Sequence, residues 1–227
     1  MKTIIIIGGS KGIGKAITQK LAAYCKVINI SRTPPTISHQ NIEHYTCDVL
    51  NDDLPNIEFA DTLIYCPGSI NLKPISRLSI EDFKNDFEIN VLGAVKSIKF
   101  YLPILKNGNH PSILLFSTVA NKLGMPFHAS IATAKSGVDG LVKSLGAELA
   151  PTIRINAIAP TVTNTELASK LLRNDKMVEN IKQRHPLKKF LNPDEVANMA
   201  EFLISDKAAS LSGQIFNMDC GIVSFKI

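Results

Sequence analysis

Apolar residues in this chain follow two rhythms that take turns along it. Short continuous runs rich in β-branched residues stand at 3–7 (TIIII), 26–31 (KVINIS), 62–66 (TLIYC), 112–116 (SILLF), 153–159 (IRINAIA) and 214–218 (QIFNM). A strand with one wet face alternates apolar and polar residues. These runs do not alternate, which predicts strands covered on both faces by helices. IEHYT at 42–46 is a weaker strand signal. Between the runs the apolar spacing lengthens to that of a helix. Ile13–Ala23 opens directly on glycines, and SIED at 79–82 has the spacing of a capping box, heading a stretch to Leu105 with room for two helices. Ala134, Val138, Leu141, Val142, Leu145 and Leu149 mark one face of a long helix that must stop before Pro151, and Pro193–Ile204 follows a candidate cap at Asn192.

Strands alternating with helices in this order predict an α/β fold. The expected form is a Rossmann-type, doubly wound parallel sheet of about seven strands with helices on both faces. No repeat, low-complexity segment or linker divides the chain, so residues 1–227 are expected to form one domain. Residues 160–192 carry the least strand character and would form a helical flap over a substrate.

Composition narrows the function. The chain is 45% hydrophobic and 20% charged, with net charge +5 and a pI near 9.0. Its Lys and Arg residues are scattered, without blocks or interleaved aromatics. The basic balance therefore points to solvated faces and a phosphorylated small molecule, not to nucleic acid. The four cysteines (Cys25, Cys47, Cys66, Cys220) have no C-x-x-C or metal-ligand spacing, so no metal site is expected; buried thiols in a reducing cytoplasm are the plain reading. The opening MKTIIIIGGS is too short an apolar run for a signal peptide, and no segment approaches membrane-spanning length.

IIIIGGSKGIGKAI places Gly8, Gly12 and Gly14 at the first strand-to-helix turn. A turn without side chains lets the backbone approach a pyrophosphate, and the helix N-terminus offers N–H groups with a favourable dipole. Ser10, Lys11 and Ile13 share that loop. The second strand ends in Ser31 and Arg32, where an acidic residue would accept hydrogen bonds from an adenosine ribose and repel a 2′-phosphate. Arg32, with Lys11 as a second cation and no carboxylate, favours NADP(H) over NAD(H).

With these segments placed, the chain resembles the short-chain dehydrogenase/reductase family over essentially its whole length. GGSKGIG resembles the family's glycine motif, with Ile7 in place of its usual leading threonine. CDV at 47–49 is similar to the adenine-contacting segment, implying that role for Asp48 and Val49. YCPG at 65–68 occupies the place of the family's N-N-A-G and keeps only Gly68, implying cofactor contacts at Cys66, Pro67 and Gly68. INVLGA at 89–94 puts Asn90 at the family's asparagine. RINAIAPTVTNT at 154–165 resembles the segment that holds the nicotinamide carboxamide, implying contacts at Pro160, Thr163 and Thr165, with Thr161 where glycine is usual. SGQIFNMDCG at 212–221 is similar to the last strand, with Cys220 for a glycine.

The resemblance implies hydride transfer between a nicotinamide and a carbonyl or alcohol carbon. In the family a tyrosine exchanges the alcohol proton, a serine polarises the oxygen, and a lysine one helical turn beyond the tyrosine holds the ribose. The asparagine retains a relay water. Here Lys135 matches the lysine, Thr118 the serine and Asn90 the asparagine, but Ile131 stands at the tyrosine. Either another group supplies the proton (His128, Ser130, Thr118 or a water near Lys135 and Asn90), or the chain is an impaired NADPH-binding subunit or sensor working through oligomer partners. A slowed oxidoreductase is the favoured reading, since placed proton transfer accounts for only about 10²–10⁴-fold of rate. A third reading, isomerisation or dehydration in a reused pocket, has no feature in its favour.

Leu123, Met125, Phe127, Leu167 and Leu171 suggest an apolar pocket. Lys170, Arg173, Lys182, Arg184, Lys188 and Lys189 make the flap basic, which would suit an acidic or carrier-linked substrate, although a solvated helix face explains them as well. Family resemblance also implies a homodimer or homotetramer packed through helices near 91–106 and 130–149. The closing GIVSFKI leaves little chain to cover a neighbour's site.

Overall fold

The computed structural model describes residues 1–225; the last two residues of GIVSFKI lie outside the described residues. Seven strands, β1 (Thr3–Ile7), β2 (Lys26–Ser31), β3 (Ile42–Thr46), β4 (Thr62–Tyr65), β5 (Ser112–Phe116), β6 (Arg154–Pro160) and β7 (Gln214–Met218), form one sheet in the order β3-β2-β1-β4-β5-β6-β7. Every neighbouring pair is parallel. The weak signal at 42–46 is β3, one of the two edge strands, half-buried up to the exposed Thr46, which is why its pattern is less apolar than those of the central strands.

The continuous apolar runs have the expected cause. In β1, Ile5 and Ile7 enter one core with Ile28, Leu63, Ile113 and Ile155. Ile4 and Ile6 enter the opposite core with Val27, Ile64, Leu114 and Ile158. Each strand feeds both faces, and each isoleucine removed fully from water contributes about 1.5–3 kcal/mol. The first core is closed by α3 (Gly93–Leu105) and α4 (Ala129–Leu149), the second by α1 (Gly12–Ala22) and α6 (Pro193–Ile204).

The expected pair of helices over 79–105 is α2 (Ile80–Phe87) and α3, joined without a break by a π-helical turn at Glu88–Leu92. Ser79 and Asp82 close the capping box that starts α2. The Lys73 ammonium and the Ser79 amide hold the Asp82 carboxyl below the usual carboxylate range. The 160–192 segment contains one helix, α5 (Asp175–Arg184), and a 3-10 turn at Glu166–Ala168. Because β1 pairs with β2 on one side and β4 on the other, the winding reverses at β1 and β4. Ligands of such sheets bind in the crevice that this reversal opens at the strands' C-terminal ends. Among the described residues, no helix is long and apolar enough to cross a membrane.

Candidate active site

The crevice is lined first by the turn from β1 into α1. Gly14 has no room for a side chain: a Cβ there would lie 2.2 Å from the Gly8 carbonyl oxygen. Gly8 adopts φ 78° and Gly12 φ 50°, the left-handed region that suits glycine. A Cβ on Gly8 would sit 3.1 Å from the Pro67 ring, so the loops after β1 and β4 meet here. Lys11 precedes α1 without a side-chain cap, which leaves the helix's first-turn N–H groups for a ligand. Ile13 is half-buried in that first turn, and Ser10 is buried. This cradle fits the pyrophosphate of a nicotinamide dinucleotide.

At the end of β2 a polar knot forms. Buried Asn29 donates to Ser10 Oγ and Ser31 Oγ, each at 3.0 Å, and the two serine oxygens lie 2.6 Å apart. Arg32 is exposed beside them. Lys11 does not stand free: its ammonium meets Glu166 of the flap at 3.4 Å. Asp48 accepts from Leu50 N and Asn51 Nδ2 and so closes its own turn, while Val49 packs into the core.

The flap is pinned at both ends. Thr165 lies 3.3 Å from where a Gly12 Cβ would be, placing it on the glycine loop. Buried Thr163 donates to the Thr161 carbonyl at 3.0 Å and forms a bridge with Leu191. Thr161 itself faces buried His185: Nδ1 donates to the Ile181 carbonyl at 2.7 Å, and Nε2 shares a hydrogen bond with the Thr161 hydroxyl at 2.7 Å. The departure from glycine at 161 thus has a partner that sequence reading missed. Pro160 ends β6 opposite Met218. Phe127 and Leu167, offered as pocket residues, are exposed.

At the chemical end, Lys135 projects from α4 into the interior, 8% exposed. Its ammonium donates to the Phe116 carbonyl at the end of β5, 2.7 Å away. Burial brings its pKa down to about 8, opposed in part by nearby acids. Cys66 lies in the same enclosure, and burial pushes its thiol up to about 12. Gly68 brings Asn90 and Lys135 together, since a Cβ on it would meet Asn90 Oδ1 at 3.1 Å and Lys135 Nζ at 3.5 Å. Asn90 Oδ1 is buried with no hydrogen-bond partner.

The π turn explains how Asn90 is aimed. Tyr65, at the end of β4, donates to the Ile89 carbonyl at 2.6 Å and so satisfies an acceptor within the widened turn. Asn90 Nδ2 donates to the Asp86 carbonyl at 2.7 Å and Ser69 Oγ at 3.0 Å. Thr118 caps the short turn Val119–Asn121 by accepting from Ala120 N at 3.3 Å, which leaves its own hydrogen to donate. Ile131, one turn before Lys135, is buried and apolar. His128 holds its ring Nδ1 2.7 Å from the Pro126 carbonyl. Ser130 turns toward α2, onto Asp86. Asp86 and Ser69 were not visible as site residues in the sequence: their part depends on α2, α4 and the loop after β4 meeting in space.

The likeness to known proteins agrees with this geometry. Residues 55–223 match the family model described as "Enoyl-(Acyl carrier protein) reductase". A 2,5-dichloro-2,5-cyclohexadiene-1,4-diol dehydrogenase of Sphingobium indicum is 28% identical, covering 98% of this chain and 97% of its own. A 3-oxoacyl-acyl-carrier-protein reductase of Rickettsia felis is 30% identical over 98% of this chain and 97% of that one. The crystal structure of a short chain dehydrogenase family protein from Francisella tularensis superposes with TM-score 0.89 at 25% identity, covering 99% of this chain and all of the other. The chain belongs to the short-chain dehydrogenase/reductase family, oxidoreductases that bind nicotinamide cofactors and transfer hydride.

Proposed function

We propose that this protein is an NADP(H)-dependent oxidoreductase of a small carbonyl or alcohol substrate, in which the Lys135 ammonium supplies the proton that Ile131 cannot. One observation carries the reading. Lys135 is buried, its pKa is close to 8, and among the described residues its only hydrogen-bond partner is the Phe116 carbonyl. An acid with a pKa near working pH is well matched to proton transfer. Two of its three hydrogens remain to be given.

A bound nicotinamide would supply the hydride for the carbonyl carbon. The glycine loop and the first turn of α1 would hold the pyrophosphate, and Thr163 and Thr165 would hold the carboxamide end. Thr118 donates its hydroxyl hydrogen to the substrate oxygen. Lys135 gives that oxygen its proton as the alcohol forms, and Asn90 Oδ1 accepts from the group that returns the proton. Ile131 provides a dry wall on the same helix face. The hydroxyl of Ser130 is given to Asp86 and His128 Nδ1 is held at the Pro126 carbonyl, which favours Lys135 over both as the donor.

NADP(H) is preferred through Arg32 and the Ser31 hydroxyl, with the flap residues 160–192 closing over the substrate. Arg32→Ala should weaken NADPH binding by about 10–100-fold and leave NADH nearly unchanged, the worth of a charge-assisted hydrogen bond. Fluorescence titration of both cofactors measures this, and equal losses would refute the preference. Its free thiols suit a reducing cytoplasm. Leu92, at the end of the π turn, and Phe100, in the middle of α3, are 51% and 46% exposed, and we infer that this face joins a second copy.

The test follows NADPH oxidation with ketones and β-ketoacyl thioesters, using wild type, Lys135→Met and Ile131→Tyr. Wild-type turnover that falls by about 10²–10⁴-fold in Lys135→Met, with NADPH affinity reduced far less, is the expected result. A Lys135→Met enzyme as fast as wild type would refute the proton assignment. Turnover in Ile131→Tyr alone would mark the native chain as a non-catalytic subunit.

A further inference from the structure

Asp86 is a carboxylate with 3% of its surface exposed, and no Lys, Arg or His among the described residues is paired with it. Two hydroxyls meet it instead, each from a different element. Ser69, in the loop after β4, donates to Oδ1 at 2.6 Å, and Ser130, in the first turn of α4, donates to Oδ2. Ser130 also lies 3.1 Å from the Asp82 carbonyl within α2. The amide of Asn90 ties into the same cluster through Ser69 Oγ and the Asp86 carbonyl.

A buried charge without a cation in contact is expensive, and an apolar residue between two packed helices would be the stabilising choice. Such a group is a candidate for function when it acts on a reacting group nearby. Lys135 is that group here: Ser69 Oγ bridges the Asp86 carboxylate to the Asn90 amide, and Asn90 meets Lys135 across Gly68. The ionisable side chains acting on its ammonium are Cys66 from the β4 loop, Asp139 from its own helix and Asp86 from α2, while β5 presents the Phe116 carbonyl. Burial keeps the Cys66 thiol neutral, while Asp139, whose Oδ2 accepts from Asn121 Nδ2 at 3.1 Å, acts on the ammonium more strongly than Asp86 does. Asp86 is the acid that also fixes Asn90.

We propose that Asp86, clasped by Ser69 and Ser130, is a positioning residue whose buried negative charge keeps Lys135 protonated and aligned with Asn90 in a site without a tyrosine. The catalytic part of this inference rests on Lys135 being the proton source, but the coupling of Asp86 to Lys135 is testable without turnover.

The experiment labels lysine at Cε with carbon-13 and titrates the resonance of Lys135, assigned by its loss in Lys135→Arg. Wild type and Asp86→Asn are compared without substrate. The expected result is a midpoint lower by about half to one pH unit in Asp86→Asn, the effect of removing one partly screened charge. A midpoint that does not move overturns the proposal. Should Asp86→Asn fail to fold, Ser69→Ala and Ser130→Ala each remove one hydroxyl from the carboxylate. A smaller fall in either supports the coupling, and no fall in both overturns it. If wild type also turns over substrate, the alkaline limb of its kcat profile should move with the midpoint. A fall in kcat at every pH with an unmoved limb would mark Asp86 as merely structural. Absence of wild-type turnover would count against the proposed function, and the titration would still decide the coupling.

Discussion

At the scale of the residue, burying the Lys135 ammonium costs the fold stability, and that cost can be measured. Its folded pKa of about 8 lies below the ordinary lysine value. Between those two values the unfolded chain binds the proton more tightly, so for this group stability rises as pH rises through that window. Below about pH 8 the full penalty applies, on the order of 3 kcal/mol from the separation of the two values. Lys135→Met should therefore be more stable than wild type in urea at pH 7, with the gap narrowing toward pH 10. A gap that stays constant over that range would contradict a depressed lysine. Lys135, Asn90 and Thr118 could be named from sequence because the motifs that resemble the family's are local, each lying within one helix or at one strand end. Asp86 was not, because nothing local distinguishes it from other polar residues of an amphipathic helix. Its meaning comes from Ser130, forty-four positions away in the chain.

At the scale of elements, the central strands were readable because burial on both faces leaves few polar positions in them. Edge strand β3 and the element ends were less so: β6 runs Arg154–Pro160, one residue beyond the apolar run, and β4 stops at Tyr65, before Cys66. The join between α2 and α3 was invisible for a different reason. A π turn needs no glycine or proline, only an outside donor for a displaced carbonyl, and that donor is Tyr65 on a strand more than twenty residues earlier. Tyr65→Phe keeps the ring in the core and removes only the hydroxyl. The expected cost is about 1–3 kcal/mol, that of leaving a buried acceptor unpaired, read from urea unfolding. If the π turn aims Asn90 as proposed, kcat should fall further than KM rises. An undiminished kcat with the stability loss alone would separate the turn's structural part from any part in chemistry.

For the whole molecule, the doubly wound sheet accounts for where the site lies, and the π turn links that site to the surface. Asn90 and Leu92 belong to the same turn, Asn90 buried beneath Gly68 and Leu92 half in solvent. Further along α3, Phe100 is exposed in turn, with Val95 and the stems of Lys96 and Lys99 between them. Exposed apolar surface in one stripe is a poor solution for a free chain, and a second copy would bury it. Leu92→Glu with Phe100→Glu places four carboxylates in a two-fold contact. Light scattering after size exclusion should then give a monomer where wild type gives a multiple of its 24.7 kDa mass. The consequence for chemistry follows from continuity: a turn released from its partner holds Asn90 less firmly, so the monomer should bind NADPH as before and lose rate. A monomeric wild type would remove the interface. A fully active monomeric variant would keep the interface but detach it from Asn90.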